Sequence, residues 1–95
     1  MELSVIIPCF NEESTIREII NRVKSSLTSL NVTHEIIVID DKSTDKTKNI
    51  LETELSGSVN KIIINTKNFG KGYSVKQGIE CAKGRFTIIQ DADLE

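Results

Sequence analysis

The sequence predicts an α/β fold of three layers, with a parallel four-stranded sheet in the order 3-2-1-4 and crossover helices on both faces. Three observations carry this expectation. Four short runs rich in Ile and Val recur along the chain: Ser4–Ile7, Ile36–Ile39, Ile62–Ile64 and Phe86–Ile89. Amphipathic helical patterns separate them, and each run stops at a polar or acidic cluster. Strands that alternate with helices over short connectors form parallel sheets, and strands that are apolar throughout are covered on both faces. Right-handed crossovers and a reversal of strand order between strands 1 and 4 then bring all four polar clusters to one rim. Open α/β sheets bind ligands at that rim.

The first run leads into Pro8-Cys9-Phe10-Asn11-Glu12. In the helical pattern that follows, Ile16, Ile19, Ile20, Val23, Leu27 and Leu30 recur at three- and four-residue steps as one apolar stripe. Asn11 or Ser14 can cap its start, Glu12 and Glu13 suit the positive end of its dipole, and Asn31 is a stop. The second strand ends at Asp40-Asp41, and a helix is expected from Thr44 to about Leu55. Thr47, Ile50, Leu51 and Leu55 form its inner face, Ser43 can cap it and Gly57 can end it. After the third strand, a helix from about Gly72 to Lys83 would turn Val75, Ile79 and Ala82 inward and end at Gly84. Gly78 inside it costs about 0.5–1 kcal/mol relative to Ala, which a close helix–strand approach would explain.

Composition narrows the function. A chain of 95 residues forms one small domain. Twelve basic and 14 acidic residues leave a net charge of -2, so no global field gathers nucleic acid. Aromatics at 4% provide no base-stacking platform. No apolar run reaches the roughly 20 residues of a membrane helix. The acidic start, Met1-Glu2-Leu3-Ser4, lacks the basic front of a signal peptide, which suggests a cytoplasmic protein. Cys9 and Cys81 form no CxxC pair and read as reduced thiols. His34 has no Cys or His companion and reads as a surface residue.

The rim residues carry the chemistry. At an extended strand end, Asp91-Ala92-Asp93 turns both carboxylates to one side. Two such hard donors hold Mg²⁺ or Mn²⁺, with water and substrate phosphate completing the shell. The tripeptide alone reads equally as a polar turn. Asp40 stands where nucleotide-binding folds place an acceptor for ribose or base, while Asp41, Ser43 and Asp45 suit a helix start. Asn68-Phe69-Gly70-Lys71-Gly72 can offer amides and one ammonium to phosphate, or can simply turn the chain. Neither a Walker A loop nor a G-x-G-x-x-G after strand 1 is present.

Four blocks together resemble family 2 glycosyltransferases. They are Ser4–Glu13, Val38–Thr47, Asn68–Gly72 with Gly78 and Ala82–Gly84, and Gln90–Glu95. The last is similar to the metal block of the dolichyl-phosphate mannose synthase-like, polyprenyl-phosphate branch. The resemblance implies a GT-A fold with a Rossmann-like N-terminal half, and a UDP- or GDP-sugar as donor. It places Pro8, Phe10 and Glu12 beside base and ribose, Asp40 on the base, and Lys71 near the diphosphate. It places Asp91, Ala92 and Asp93 at the nucleotide-sugar and metal, with Asp91, Asp93 and Glu95 as metal ligands for Mg²⁺ or Mn²⁺. It suggests a polyprenyl phosphate acceptor, at the cytoplasmic face of a membrane in a full-length protein.

The chain departs from the family pattern in three ways. Lys42 and Lys46 stand where the family usually has glycine, so a positive φ at Lys42 would bring strain. Phe10 replaces a frequent tyrosine. Family members continue for a hundred or more residues, so 1–95 is expected to be the donor-binding part of an incomplete domain, inactive in transfer by itself and with an exposed sheet edge open to self-association. A non-catalytic nucleotide-binding module or truncated product is the alternative. A nucleotidyltransferase would need a glycine-rich basic loop after strand 1, where this chain has an acidic loop.

Overall fold

A computed structural model describes residues 1–93. Seven elements follow in order: β1 (Leu3–Cys9), α1 (Ile16–Ser29), β2 (His34–Asp40), α2 (Thr47–Thr53), β3 (Lys61–Ile64), α3 (Lys71–Cys81) and β4 (Phe86–Ile89). The strands form one parallel sheet in the order β3-β2-β1-β4, as the sequence leads one to expect.

Strand alternation divides the core into two layers. Val5 and Ile7 of β1 and Ile36 and Val38 of β2 point to the face covered by α1 and α2. There they pack with Ile16, Ile19, Ile20, Ile50 and Leu51. Ile6, Ile37 and Ile39 point to the other face, beneath α3. Both central strands are buried along nearly their whole length because helices cover both sides. β4 lies at the edge, where Phe86, Ile88 and Ile89 are exposed. Among the described residues no helix is long and apolar enough to cross a membrane.

α3 packs differently from its expected stripe. Ser74 and Gly78 are its buried residues, and Ile79 remains 49% exposed. A Cβ on Gly78 would come within 2.4 Å of Ile6 Cγ2 and 2.9 Å of Ile39 Cδ1. Small residues therefore let α3 lie directly on the sheet, and the larger apolar side chains turn away. Gly84 does not terminate α3, whose last turn closes at Ala82 in extended conformation. Its lack of a side chain serves another contact: a Cβ there would meet the backbone of Leu3 and Ser4 at 2.6 Å.

The other helix ends also differ from the sequence reading. α1 begins after Thr15 with no side-chain cap, so neither Asn11 nor Ser14 performs that role. Leu30, the last member of the expected stripe, is exposed. Asn31 does take the left-handed conformation expected of a stop, with φ 56°. α2 starts at Thr47, three residues later than Thr44, because Asp45 first folds back: its Oδ1 accepts the Thr47 amide at 2.8 Å and the Thr47 hydroxyl at 2.6 Å. Gly57 lies in the turn beyond α2.

A buried polar lock holds the sheet at the end away from the polar rim. Glu35 Oε2 accepts the Ser4 hydroxyl at 2.6 Å and the Lys83 amide at 2.6 Å. Ser4 Oγ in turn accepts the Gly84 amide at 2.7 Å. Burial alone would raise the Glu35 carboxyl, but the Ser4 hydroxyl, the Lys83 amide and the Lys83 charge outweigh it and hold the group below the ordinary carboxylate range. A depressed folded-state pKa adds stability that is fully present above the unfolded value and is lost as pH falls through the folded value. Urea unfolding should therefore show stability falling below about pH 4.3, the ordinary Glu value. Glu35→Gln should flatten that acid slope and cost about 1.5–3 kcal/mol at pH 7, since a charged acceptor of buried donors is lost.

Candidate functional site

The parallel register puts the strand ends side by side. Cys9 pairs with Asp40 and Asp40 with Ile64, while the Gln90 amide donates to the Ile6 carbonyl at 2.8 Å just beyond β4. Four loops thus meet at one rim. Their backbone donors are satisfied largely by one another's side chains.

The loop after β1 is tied to the loop after β2. Asn11 has φ 54°, a conformation asparagine tolerates. Its amide donates to Ser43 Oγ at 2.9 Å, and its Oδ1 accepts the amides of Thr44 at 2.8 Å and Asp45 at 3.3 Å. The Glu12 amide donates to Thr47 Oγ1 at 2.9 Å. Asn11, one of the expected caps of its own helix, instead orders the approach to α2.

The two adjacent aspartates at the end of β2 point to opposite faces. Asp40 is fully buried on the α1–α2 side. It accepts the Ser43 hydroxyl at 2.5 Å, the Ser43 amide at 3.2 Å and the Cys9 thiol at 3.8 Å. Burial, then the neighbouring Asp40 charge, pushes the Cys9 thiol far up, so it stays protonated. Asp41 points to the α3 side and clamps the loop after β3. Its Oδ1 accepts the Phe69 amide at 2.9 Å and the Asn65 side-chain amide at 3.0 Å, and its Oδ2 accepts the Gly70 amide at 2.8 Å. Burial would raise this carboxyl, but the Phe69 amide, the Asn65 side chain and the Gly70 amide together hold it low and ionised. Gly70 sits at φ 96°, which favours glycine at this turn into α3.

A cavity of about 370 Å³ opens at this rim. Of the residues singled out in the sequence, Pro8, Phe10, Glu12, Lys71, Asp91, Ala92 and Asp93 line it, and Asp40 does not. Cys9, Asp41 and Ser74 line it without having been singled out for it. Strand alternation held the signal for Asp41, which shares parity with Ile37 and Ile39 on the α3 face. Lys71 Nζ is ion-paired with Asp91 Oδ1. The Asp91 hydrogen bond and charge hold the Lys71 ammonium above its ordinary range.

Asp91 and Asp93 present hard carboxylate oxygens, which fit Mg²⁺ or Mn²⁺. Glu95, the third expected ligand, lies outside the described residues. Among the described residues no three His, Cys, Asp or Glu side chains converge into a ready-made metal cage. An ion held here would draw its remaining ligands from water and from phosphate. The Asp91–Asp93 turn is anchored from α1: Thr15 Oγ1 donates to the Ala92 carbonyl at 2.7 Å and lies 3.2 Å from Glu12 Oε2. Nothing in the spacing of Thr15 and Ala92 announces this contact.

Known proteins resemble the chain along its whole length. The model of the family described as "Glycosyl transferase family 2" matches residues 4–95. A dolichol-phosphate mannosyltransferase of Pyrococcus furiosus is 37% identical over 95 residues, covering 100% of this chain and 26% of that protein. Staphylococcus aureus TarS 1-349, solved in complex with UDP-GlcNAc, superposes with a TM-score of 0.80 at 32% identity, covering 98% of this chain and 27% of that one. Glucosyl-3-phosphoglycerate synthase of Mycobacterium tuberculosis, solved with Mn²⁺, UDP and glucosyl-3-phosphoglycerate, gives 0.71 at 28% identity, covering 99% and 34%. The chain spans about 30% of the length of the curated relatives it matches.

Two outcomes follow from the loop geometry. Thr15→Val removes the donor to the Ala92 carbonyl, so urea unfolding should show a loss of about 1 kcal/mol, as for loss of one hydrogen bond. Lys42 sits at φ 60°. Lys42→Gly should relieve left-handed strain of about 1–2 kcal/mol while adding chain entropy, for a net gain of about 0.5–1 kcal/mol in urea unfolding.

Proposed function

The chain belongs to glycosyl transferase family 2, and from that premise we propose that its rim cavity binds the nucleoside diphosphate of a UDP- or GDP-sugar. The protein of which these residues form the donor-binding part then transfers the sugar to a polyprenyl phosphate. The observation that carries the reading is the convergence of Phe10, Asp41, Lys71, Asp91 and Asp93 on one cavity from four separate loops.

Each residue has a task set by its position. The partly exposed Phe10 ring offers an apolar face to the base at one wall. Asp41, its carboxylate fixed by the Asn65, Phe69 and Gly70 donors, presents negative charge to a donor group on the nucleotide from the cavity wall. In this role it replaces Asp40, whose carboxylate is buried and engaged with Ser43 and Cys9. Lys71 supplies positive charge toward the diphosphate. Asp91 and Asp93 hold Mg²⁺ or Mn²⁺, which when bound neutralises charge on the departing diphosphate.

Relatives support the substrate classes. UDP-GlcNAc is bound in the TarS structure, UDP and Mn²⁺ in the mycobacterial synthase, and the archaeal relative is named for dolichol phosphate. A polyprenyl acceptor places the reaction at a membrane surface, and we assign it to the cytoplasmic face, where nucleotide-sugars would reach the rim.

Calorimetric titration of the chain with UDP and with GDP, each with Mn²⁺ or Mg²⁺, tests the reading. One nucleotide should bind in a metal-dependent manner at micromolar to millimolar concentration. Asp93→Ala should weaken it by at least about tenfold, since even partners outside the ligand shell cost 10–100-fold in such sites. No binding at millimolar nucleotide, or affinity unchanged by Asp93→Ala, would contradict it.

A further inference from the structure

The Lys71–Asp91 ion pair spans the cavity between the start of α3 and the loop after β4. We propose that Lys71 pairs with Asp91 in place of a divalent cation in the absence of nucleotide, and moves to the diphosphate when nucleotide and cation enter together. The inference rests on the donor-binding reading above.

Charge balance is the first argument. Among the described residues, four carboxylates, of Glu12, Asp41, Asp91 and Asp93, face the cavity against a single ammonium, that of Lys71. A diphosphate entering alone meets net negative charge. A cation entering alone meets Asp91 already paired. When the two enter together, the cation takes Asp91 and phosphate oxygen while the released ammonium takes phosphate oxygen, so neither member of the pair is left without an opposite charge.

The second argument is mechanical. Lys71 directly follows Gly70, whose amide is held by Asp41, so the lysine backbone is fixed while its side chain is free to swing. The side chains of Lys71 and Asp91 are 63% and 56% exposed. Such an exposed pair is weak, and a divalent ion can displace it. A buried pair would have resisted exchange.

The test is a set of calorimetric titrations with Mn²⁺ alone and with the Mn²⁺ complex of UDP or GDP, whichever binds. Lys71→Met should bind Mn²⁺ alone about two- to fivefold more tightly, the range an exposed pair supplies, and should bind the nucleotide complex more weakly than the wild type. Lys71→Arg should restore both values toward wild type. Lys76→Met, on the same helix but away from the cavity lining, controls for general charge and should change neither. Opposite shifts for Mn²⁺ and for the nucleotide complex in Lys71→Met support the exchange. An unchanged Mn²⁺ affinity, or equal changes in Lys76→Met, overturns it while leaving the donor site standing. Failure of the wild type to bind any nucleotide complex overturns both the exchange and the reading beneath it.

Discussion

Parallel strand direction is the constraint on which the rest of this structure depends. Because β1 through β4 run the same way, their four following loops have to share one rim. Each loop arrives there with unpaired backbone amides, and an unpaired buried amide is costly. The chain resolves this by exchanging side chains between loops. Asn11 and Thr47 join the first loop to the second, Asp41 joins the second to the third, and Thr15 ties the fourth to the start of α1. The cavity is what remains open between loops fastened in this way.

That arrangement separates the carboxylates by task. Asp40, Asp45 and Asp41 sit within a few residues of one another, and all three accept backbone amides. Asp40 and Asp45 are used on the α1–α2 side, where their oxygens organise the turn into α2. Asp41 alone of the three also faces the cavity. Asp91 is different again: its carboxylate pairs with the flexible Lys71 ammonium rather than a backbone group, so it can change partners without unfolding a loop. The residues that build the rim are held by fixed amides, while the residue assigned to ligand exchange is held by a mobile side chain.

Much of this was legible in the sequence, for physical reasons. β1 and β2, covered on both faces, have to be apolar throughout, Ile-rich runs marked the edge strands β3 and β4 as well, and right-handed crossovers with one reversal gave their order. Seven of the eight candidate nucleotide-sugar residues line one cavity because they stand just beyond those runs. Asp40 was singled out for the nucleotide and Asp41 was not, because both stand at the end of the same strand. Parity along β2 separates them only once the α3 face is known to hold the cavity. The inward face of α3 was misjudged at Ile79 because apolar periodicity assumes that the largest side chains face the core. Here the close approach over Ile6 and Ile39 admits only Ser74 and Gly78. The Thr15–Ala92 contact was invisible for a simpler reason: the partners lie at opposite ends of the chain, and one of them is a backbone carbonyl.

In the proposed function these four loops together hold a nucleoside diphosphate and a divalent cation. Paramagnetic broadening from the Mn²⁺ complex of UDP or GDP, mapped onto the assigned amide spectrum, reads out where that complex sits. Resonances of Phe10, Glu12, Gly70, Lys71 and Asp91–Asp93 should broaden first, and those of Glu35, Lys83 and Gly84 at the opposite end of the sheet should stay sharp. Broadening centred on the Glu35 end, or confined to a single loop, would contradict it.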